Sequence, residues 1–269
     1  MKTLVLPSCS HLVRSLRGRT IKVRRFPDGE TRLSVPAGAK GDVLLVGNTG
    51  PSADALIELV FACRTLKELG SRVTLLIPYF AYGRQDHPKQ GEAAGAKAVC
   101  AMIKEAGPDK VVLVNPHSSR VVRWLGAKSI DVMPQIMGSL PAKMKRNAVV
   151  IAPDEGARDM AKSVAKRIGA QFILLRKERL SATSVWEKPL RKALPVNAII
   201  VDDLVSTGNT VKAAAREARK EGARRVAAIV VHNVGRKTTR ALGIDVLVSS
   251  NTLPCKSGAG CVVCELTSS

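Results

Sequence analysis

Aromatic side chains are scarce: Phe, Tyr and Trp make up 3% of the 269 residues. Proteins that bind single strands by stacking bases need aromatic platforms, so that mode of nucleic-acid binding is not expected. Long apolar runs are missing too, and none reaches the roughly 18–20 residues of a membrane span. The start, Met1-Lys2-Thr3-Leu4-Val5-Leu6-Pro7, is broken too early to serve as a signal peptide. A cytoplasmic protein is expected. Acids are in short supply, with 22 Asp and Glu against 43 Lys and Arg, a formal charge of +21. Such an excess points toward polyanions, yet no block of roughly five or six like charges occurs. We read the charge as a solvated surface that steers anionic substrates. No specific nucleic-acid partner is expected, and nonspecific RNA binding at low salt stays open.

Six cysteines are present: Cys9, Cys63, Cys100, Cys255, Cys261 and Cys264. The tail spacing from Cys255 through Cys261 to Cys264 hints at a metal knuckle, but structural zinc takes four ligands and a fourth is missing nearby. Reduced thiols are the expectation, with a tail disulfide as the weaker alternative.

One phrase recurs along the chain: amphipathic helix, glycine, short polar link, apolar strand. It is seen at Leu69-Gly70-Ser71-Arg72-Val73, Ala106-Gly107-Pro108, Ile168-Gly169-Ala170 and Glu221-Gly222-Ala223. Glycine is the usual residue just past a helix end. The strands that follow are apolar on both alternations, as in buried parallel sheets. The expected fold class is therefore α/β, with repeated strand–helix–strand units and helices on both sheet faces. The first half is predicted to hold strands near 42–47, 72–77 and 110–114 and helices near 52–69 and 91–106. The second half is predicted to hold strands near 148–152, 171–175, 197–201 and 225–231 and helices near 156–168 and 210–221. A link with Pro134, Gly138 and Pro141 separates the two. We place the domains at 1–137 and 138–253, with the tail 254–269 as a candidate to pack back on the first.

The most informative stretch is 198–211, Ala-Ile-Ile-Val-Asp-Asp-Leu-Val-Ser-Thr-Gly-Asn-Thr-Val. An apolar strand ends in the paired acids Asp202 and Asp203. A loop of small residues, Ser206, Thr207, Gly208, Asn209 and Thr210, then opens a helix. Free N–H groups and the dipole at such a helix start favour an anion. Two carboxylates beside a phosphate cradle suit a ribose 5-phosphate unit, the acids taking the 2- and 3-hydroxyls. An ordinary capped turn is the plain alternative: it accounts for the acid pair alone as well as a ligand does, but for the acids, the spacer and the small-residue loop together far less well.

The first half carries three further segments. Phe26-Pro27-Asp28-Gly29-Glu30 is a turn after a basic strand. Tyr79 to Asp86, with Arg84 and Gln85, forms a polar loop where a parallel strand ends, the usual place for α/β ligands. Asn115-Pro116-His117 follows another apolar strand.

Residues 198–211 resemble the phosphoribosyl diphosphate (PRPP) motif of phosphoribosyltransferases and PRPP synthetases, except that the family loop usually has Gly where Asn209 stands. Taken in order, the segments from about Arg25 to about Thr252 resemble the ribose-phosphate pyrophosphokinase family, in the style of its short archaeal members. The resemblance implies two tandem phosphoribosyltransferase-like domains, each a mainly parallel sheet flanked by helices. It implies ATP and ribose 5-phosphate as substrates, Mg²⁺ as cofactor and a homo-oligomer. Phe26, Asp28 and Glu30 would belong to the adenine loop that works across a subunit boundary. Arg84, Gln85 and Asp86 would bind ATP, and Asp202, Asp203 and Ser206 to Thr210 would bind ribose 5-phosphate. His117 would lie near the phosphates and the metal, and Asp154 of Pro153-Asp154-Glu155-Gly156 would help hold that metal. Lys177 and Arg179 would stabilise the transition state from a catalytic flap, with His117 as a further catalytic candidate. The chain ends sooner after Cys264 than the family usually does.

The expected activity is transfer of the diphosphoryl group of ATP to the 1-hydroxyl of ribose 5-phosphate. A PRPP-consuming phosphoribosyltransferase, a silent regulatory homologue and a nucleic-acid-binding protein are the competing classes.

Overall fold

A computed structural model describes residues 1–178, 185–187, 194–255 and 261–264. It divides into two compact units. The first comprises Met1–Asp131 and Thr252–Pro254; the second comprises Val132–Asn251, Cys255 and Cys261–Cys264.

The first unit contains β1 (Lys2–Val5), β2 (Arg19–Thr20), β3 (Lys22–Arg25), β4 (Thr31–Ser34), β5 (Asp42–Val46), α1 (Ala53–Glu68), β6 (Arg72–Ile77), α2 (Gly95–Glu105), β7 (Lys110–Val114), α3 (Ser119–Leu125) and β8 (Lys128–Ile130). Its sheet has the order β2-β1-β5-β6-β7-β8, and every pairing is parallel. Strands β3 and β4 stand outside it as an antiparallel hairpin. Leu45, Leu75 and Leu113, one from each of three neighbouring strands, are fully enclosed against Leu59 and Leu66 of α1 and Ile103 of α2. Each such side chain stabilises the fold by roughly 1.5–3 kcal/mol relative to exposure.

The second unit contains α4 (Met133–Gly138), α5 (Ala142–Lys145), β9 (Ala148–Ala152), α6 (Arg158–Ile168), β10 (Gln171–Leu174), β11 (Arg176–Glu178), β12 (Val185–Glu187), β13 (Asn197–Val205), α7 (Asn209–Lys220), β14 (Arg225–Asn233), α8 (Thr239–Leu242), β15 (Val246–Ser250) and β16 (Cys261–Cys264). Its sheet order is β10-β9-β13-β14-β15-β16, again parallel throughout. Strands β11 and β12 form a separate antiparallel pair. The two units thus share one strand order. Each also inserts a two-stranded hairpin at the same place, between its second and third sheet strands.

The division differs in detail from the expected one. The division falls between Asp131 and Val132 rather than at 137/138, because α4 packs on β14, β15 and β16 of the second sheet. Of the tail, Pro254 lies in the first unit, whereas Cys261–Cys264 extends the second sheet beside β15. That strand also removes the metal knuckle. Cys261 and Cys264 are an odd number of residues apart, so their side chains leave opposite faces. All six cysteines are free thiols. Burial pushes the thiol pKa of Cys9 and of Cys63 up to about 12, which leaves both unreactive at neutral pH. Among the described residues no helix is long and apolar enough to cross a membrane.

Candidate active site

In the second sheet β9 has β10 on one side and β13 on the other, so the chain order reverses there. Parallel α/β sheets bind ligands in the crevice beyond the carboxyl ends of the strands at such a switch point. Here those ends carry Asp154, just after β9, and Asp202 and Asp203, in β13.

The loop after β13 owes its shape to close packing. Gly208 sits at the N-cap of α7 with φ +84°, in the left-handed region. A Cβ on it would stand 2.5 Å from Leu242 Cδ2 of α8. Helix α7 buries Val211, Ala214, Ala215 and Ala218 on one stripe, which fixes it on the sheet. Gly208 has no side chain to accept from the first-turn N–H groups, which leaves that end suited to an anion. Thr207 and Asn209 are exposed, and Ser206 and Thr210 partly so. A second wall comes from the segment after β14, which sequence reasoning missed. Gly235 N donates to Val205 O at 3.0 Å, and any side chain on Gly235 would run into the carbonyl of Ser206. Asn233 holds this segment from both sides: Lys237 N donates to Asn233 Oδ1 at 2.8 Å and Asn233 Nδ2 to Lys237 O at 3.1 Å. The stem of Lys237 runs over the loop, its Cγ 3.7 Å from where a Gly208 Cβ would stand. A Gly two residues past a strand end was the signal in the sequence, but it does not say what the glycine approaches.

Asp202, Asp203 and Asp154 form an acidic group. The backbone N–H of Asp203 donates to Asp202 Oδ1 at 2.9 Å, and Asp154 Oδ1 accepts from Ala157 N at 3.3 Å. Burial, then the charges of Asp203 and Asp154, push the Asp202 pKa from its ordinary 3.8 up to about 8. The folded, ligand-free protein therefore keeps a proton that the unfolded chain releases near its ordinary pKa. Stability contributed by this group falls as pH rises through that window and is gone above about pH 8. Asp202→Asn removes the ionisation. In thermal melts the ligand-free variant is expected to match the parent below the ordinary carboxylate pKa of 3.8 and to melt progressively higher as the pH rises to about 8. Parallel curves at both pH values would refute the raised pKa.

The first unit places its candidates at the carboxyl ends of β6 and β7, which are neighbours. Arg84 and Gln85 are exposed, and the side chain of Gln85 rests on Gly95 at the start of α2. Asp86 instead braces the loop: Ser118 Oγ donates to its Oδ2 at 2.6 Å, and His87 Nδ1 lies 2.8 Å from its Oδ1. Burial alone would raise the Asp86 pKa, but the Ser118 hydroxyl and the His87 ring outweigh it and hold it below the carboxylate range. Ser118 also caps α3, so this bond ties the 79–87 loop to the segment that carries His117. His117 is exposed, its Cβ 3.4 Å from where a Gly83 Cβ would stand. Ser118 was not anticipated.

The first sheet has its own switch point, between β1 and β5. Asn48 and Thr49 are fully enclosed. Asn48 Oδ1 accepts from Tyr79 N at 2.7 Å, Asn48 Nδ2 donates to Thr252 O at 3.1 Å, and Thr49 Oγ1 accepts from Ala81 N at 2.7 Å.

The 26–30 turn caps the β3–β4 hairpin. Phe26 N donates to Glu30 O and Gly29 N to Phe26 O, both at 2.9 Å, while Asp28 Oδ1 accepts from Glu30 N at 3.1 Å. Phe26 is 42% exposed, with the Arg32 guanidinium 5.7 Å from its ring centre. Lys177 lies in β11, opposite Trp186 in backbone register. Strand β11 does not extend β10; it leaves the main sheet to pair with β12. Arg179 lies outside the described residues.

A divalent cation is tested against this donor set. Among the described residues no three of His, Cys, Asp and Glu are arranged around one ion, so a full protein cage is absent there. Mg²⁺ needs no such cage; it is commonly held by one or two carboxylates, with waters and substrate phosphates completing the shell. Asp154, half-exposed and with one oxygen committed to Ala157 N, fits that mode.

Two parallel α/β units with switch points, the second holding an acid pair beside a hydroxyl-rich anion loop, define a tandem protein of the phosphoribosyltransferase type. The family model for the N-terminal domain of ribose phosphate pyrophosphokinase matches residues 9–107, and the phosphoribosyl transferase domain model matches 132–266. The ribose-phosphate pyrophosphokinase of Sulfurisphaera tokodaii is 32% identical over 243 residues, 85% of this chain and 83% of its own. That of Methanothermobacter thermautotrophicus is 36% identical over 222 residues, 80% of this chain and 76% of its own. The chain belongs to the ribose-phosphate pyrophosphokinase family. Its fold matches the crystal structure of phosphoribosylpyrophosphate synthetase from Mycobacterium smegmatis, with a TM-score of 0.83 at 22% identity, covering 98% of this chain and 95% of that one.

Proposed function

We propose that the chain is a ribose-phosphate diphosphokinase that converts ATP and ribose 5-phosphate into PRPP and AMP. The observation that carries this reading is the placement of Asp202 and Asp203 beside the Gly208 loop at the switch point of the second sheet. The acids accept hydrogen bonds from the 2- and 3-hydroxyls of the sugar. Residues Ser206 to Thr210 take the 5-phosphate. Arg84 and Gln85 hold the nucleotide, on a loop that Asp86 braces, and Phe26 with Asp28 and Glu30 receives the adenine of a neighbouring subunit. A homo-oligomer is therefore part of the reading. The 1-hydroxyl of ribose attacks the β-phosphorus and AMP leaves, so negative charge gathers on the transferring group. Diphosphoryl transfer is served by positioning and by cations at that point. In this reading Lys177 and Arg179 supply them, and His117 donates a hydrogen bond to the phosphates. Asp154 would hold Mg²⁺, which when bound neutralises phosphate charge. Cytoplasm is the assigned compartment: ATP is abundant there and six thiols persist.

Phosphorus NMR of the purified protein with ATP, ribose 5-phosphate and Mg²⁺ tests this. AMP and PRPP are expected to appear together, and only when the sugar is present. PRPP binding without turnover would point instead to a phosphoribosyltransferase or a silent homologue.

A further inference from the structure

The β3–β4 hairpin is exposed at its tip and fixed at its base, and one arginine does the fixing. Arg25 is the last residue of β3. Its Nη1 donates to Gly29 O at 3.1 Å and to Thr31 Oγ1 at 3.3 Å, which closes the turn from beneath. Its Nη2 lies 2.7 Å from Asp54 Oδ2 in the first turn of α1. One turn further along α1 stands Glu58, 8% exposed. Burial raises the Glu58 pKa, the Arg25 charge opposes that rise, and the Asp54 charge adds to it. Arg25 is thus the cation shared by two acids of α1, one of them buried.

An isolated exposed ion pair contributes little, because solvent and salt screen it. This case differs in two ways. The planar guanidinium spends separate N–H groups on the turn and on the helix, so a single rotamer satisfies both. Removing it also leaves Asp54 and Glu58 as like charges one helical turn apart. We propose that Arg25, with Asp54 as its anchor, is a positioning residue that sets the direction of Phe26 and so the recognition of the nucleotide base. The inference rests on the reading of 26–30 as the adenine loop. Arg25 touches no reacting atom. It couples the hairpin to α1, which is packed on the first sheet through Leu59, Ala62 and Leu66. The tip is then held before the ligand arrives, and binding does not have to pay for ordering it.

Steady-state kinetics on the full chain test this, with ATP and GTP as alternative donors. Arg25→Ala is expected to raise KM for ATP about tenfold and to reduce the preference for ATP over GTP. Its kcat and its KM for ribose 5-phosphate should stay within about twofold. Asp54→Asn should show the same pattern more weakly, and Asp54→Glu should restore it. The double variant Arg25→Ala/Asp54→Asn should be no worse than Arg25→Ala alone, since the two residues act as one unit. A purely structural role would lower the melting temperature without moving donor preference. Should Arg25→Ala not fold, the Asp54 variants carry the test. Phe26→Ala separates the two ways of failing. If it raises KM for ATP while the Arg25 and Asp54 variants do not, the hairpin reading stands and Arg25 is not its positioning residue. If Phe26→Ala leaves KM for ATP unchanged, the adenine-loop reading falls, and this proposal with it.

Discussion

Lys177→Ala is expected to lower kcat by about 10²–10³-fold, the scale seen when a preorganised charge-stabilising group is removed from a transition state. KM for ribose 5-phosphate should change little. The reason is where charge develops. In the ground state the phosphates of ATP are already neutralised in part by the cation they carry. As AMP leaves, negative charge moves to the bridging and equatorial oxygens, and under the proposed role the lysine charge acts on that stage. Its loss therefore falls on kcat and kcat/KM equally. Lys177→Arg should recover part of the rate, because charge is kept while the donor geometry changes. An equal and mild effect on kcat and on the sugar KM would remove Lys177 from this role.

Gly235→Ala should have the largest effect on sugar binding. The glycine lies against the Ser206 carbonyl so closely that a methyl group cannot be placed there without moving the backbone. Relief by a rotamer change is not open, since the atom in the way belongs to the main chain. Either the 233–237 segment withdraws, breaking the Gly235 N to Val205 O bond, or the 206–210 loop shifts away from the acid pair. Overpacking of this kind costs roughly 1–3 kcal/mol, and a displaced anion loop passes that cost to binding. KM for ribose 5-phosphate is expected to rise roughly 10- to 100-fold, at about 1.4 kcal/mol per tenfold. The melting temperature should drop by a few degrees. An unchanged KM would mean that Ser206 to Thr210 do not form the phosphate cradle.

The strand–helix core of both units was legible because strands such as β5, β6, β7, β9 and β14 are mostly apolar and because α1, α2, α6 and α7 are each followed within two residues by a glycine. The expected helix over 52–69 is α1, Ala53–Glu68, and that over 210–221 is α7, Asn209–Lys220. Strand β13 runs four residues past the expected 197–201, through both acids to Val205. Polarity reads as a strand end, yet the ladder to β14 continues to Val205 and Asn233. Helix α2 begins at Gly95 rather than at 91, since Lys89 to Glu92 are spent in a turn closed by Glu92 Oε2 on Lys89 N. Strands β8 and β15 follow Leu125-Gly126 and Leu242-Gly243, the same helix–glycine phrase used elsewhere, so their signal was present and went unread. Two of the candidate site's constraints gave no local sign of their partners. Ser118 meets Asp86 from 32 positions away, and Gly235 meets Ser206 through the neighbouring ends of β13 and β14. Contacts of that range exist only once the sheet order is known.

The enclosed Asn48 and Thr49 set the first sheet apart from the second. Two halves of one strand order bring two equivalent sets of strand ends. In the first half the end of β5 leads into the enclosed Asn48 and Thr49, whose side chains accept from the backbone N–H groups of Tyr79 and Ala81. In the second half the matching strand carries Asp202 and Asp203. The tandem therefore repeats a strand order without repeating what stands at the strand ends. The two hairpins, at matching places in the two halves, show the same divergence: one is read as meeting the base of the donor, the other its departing charge.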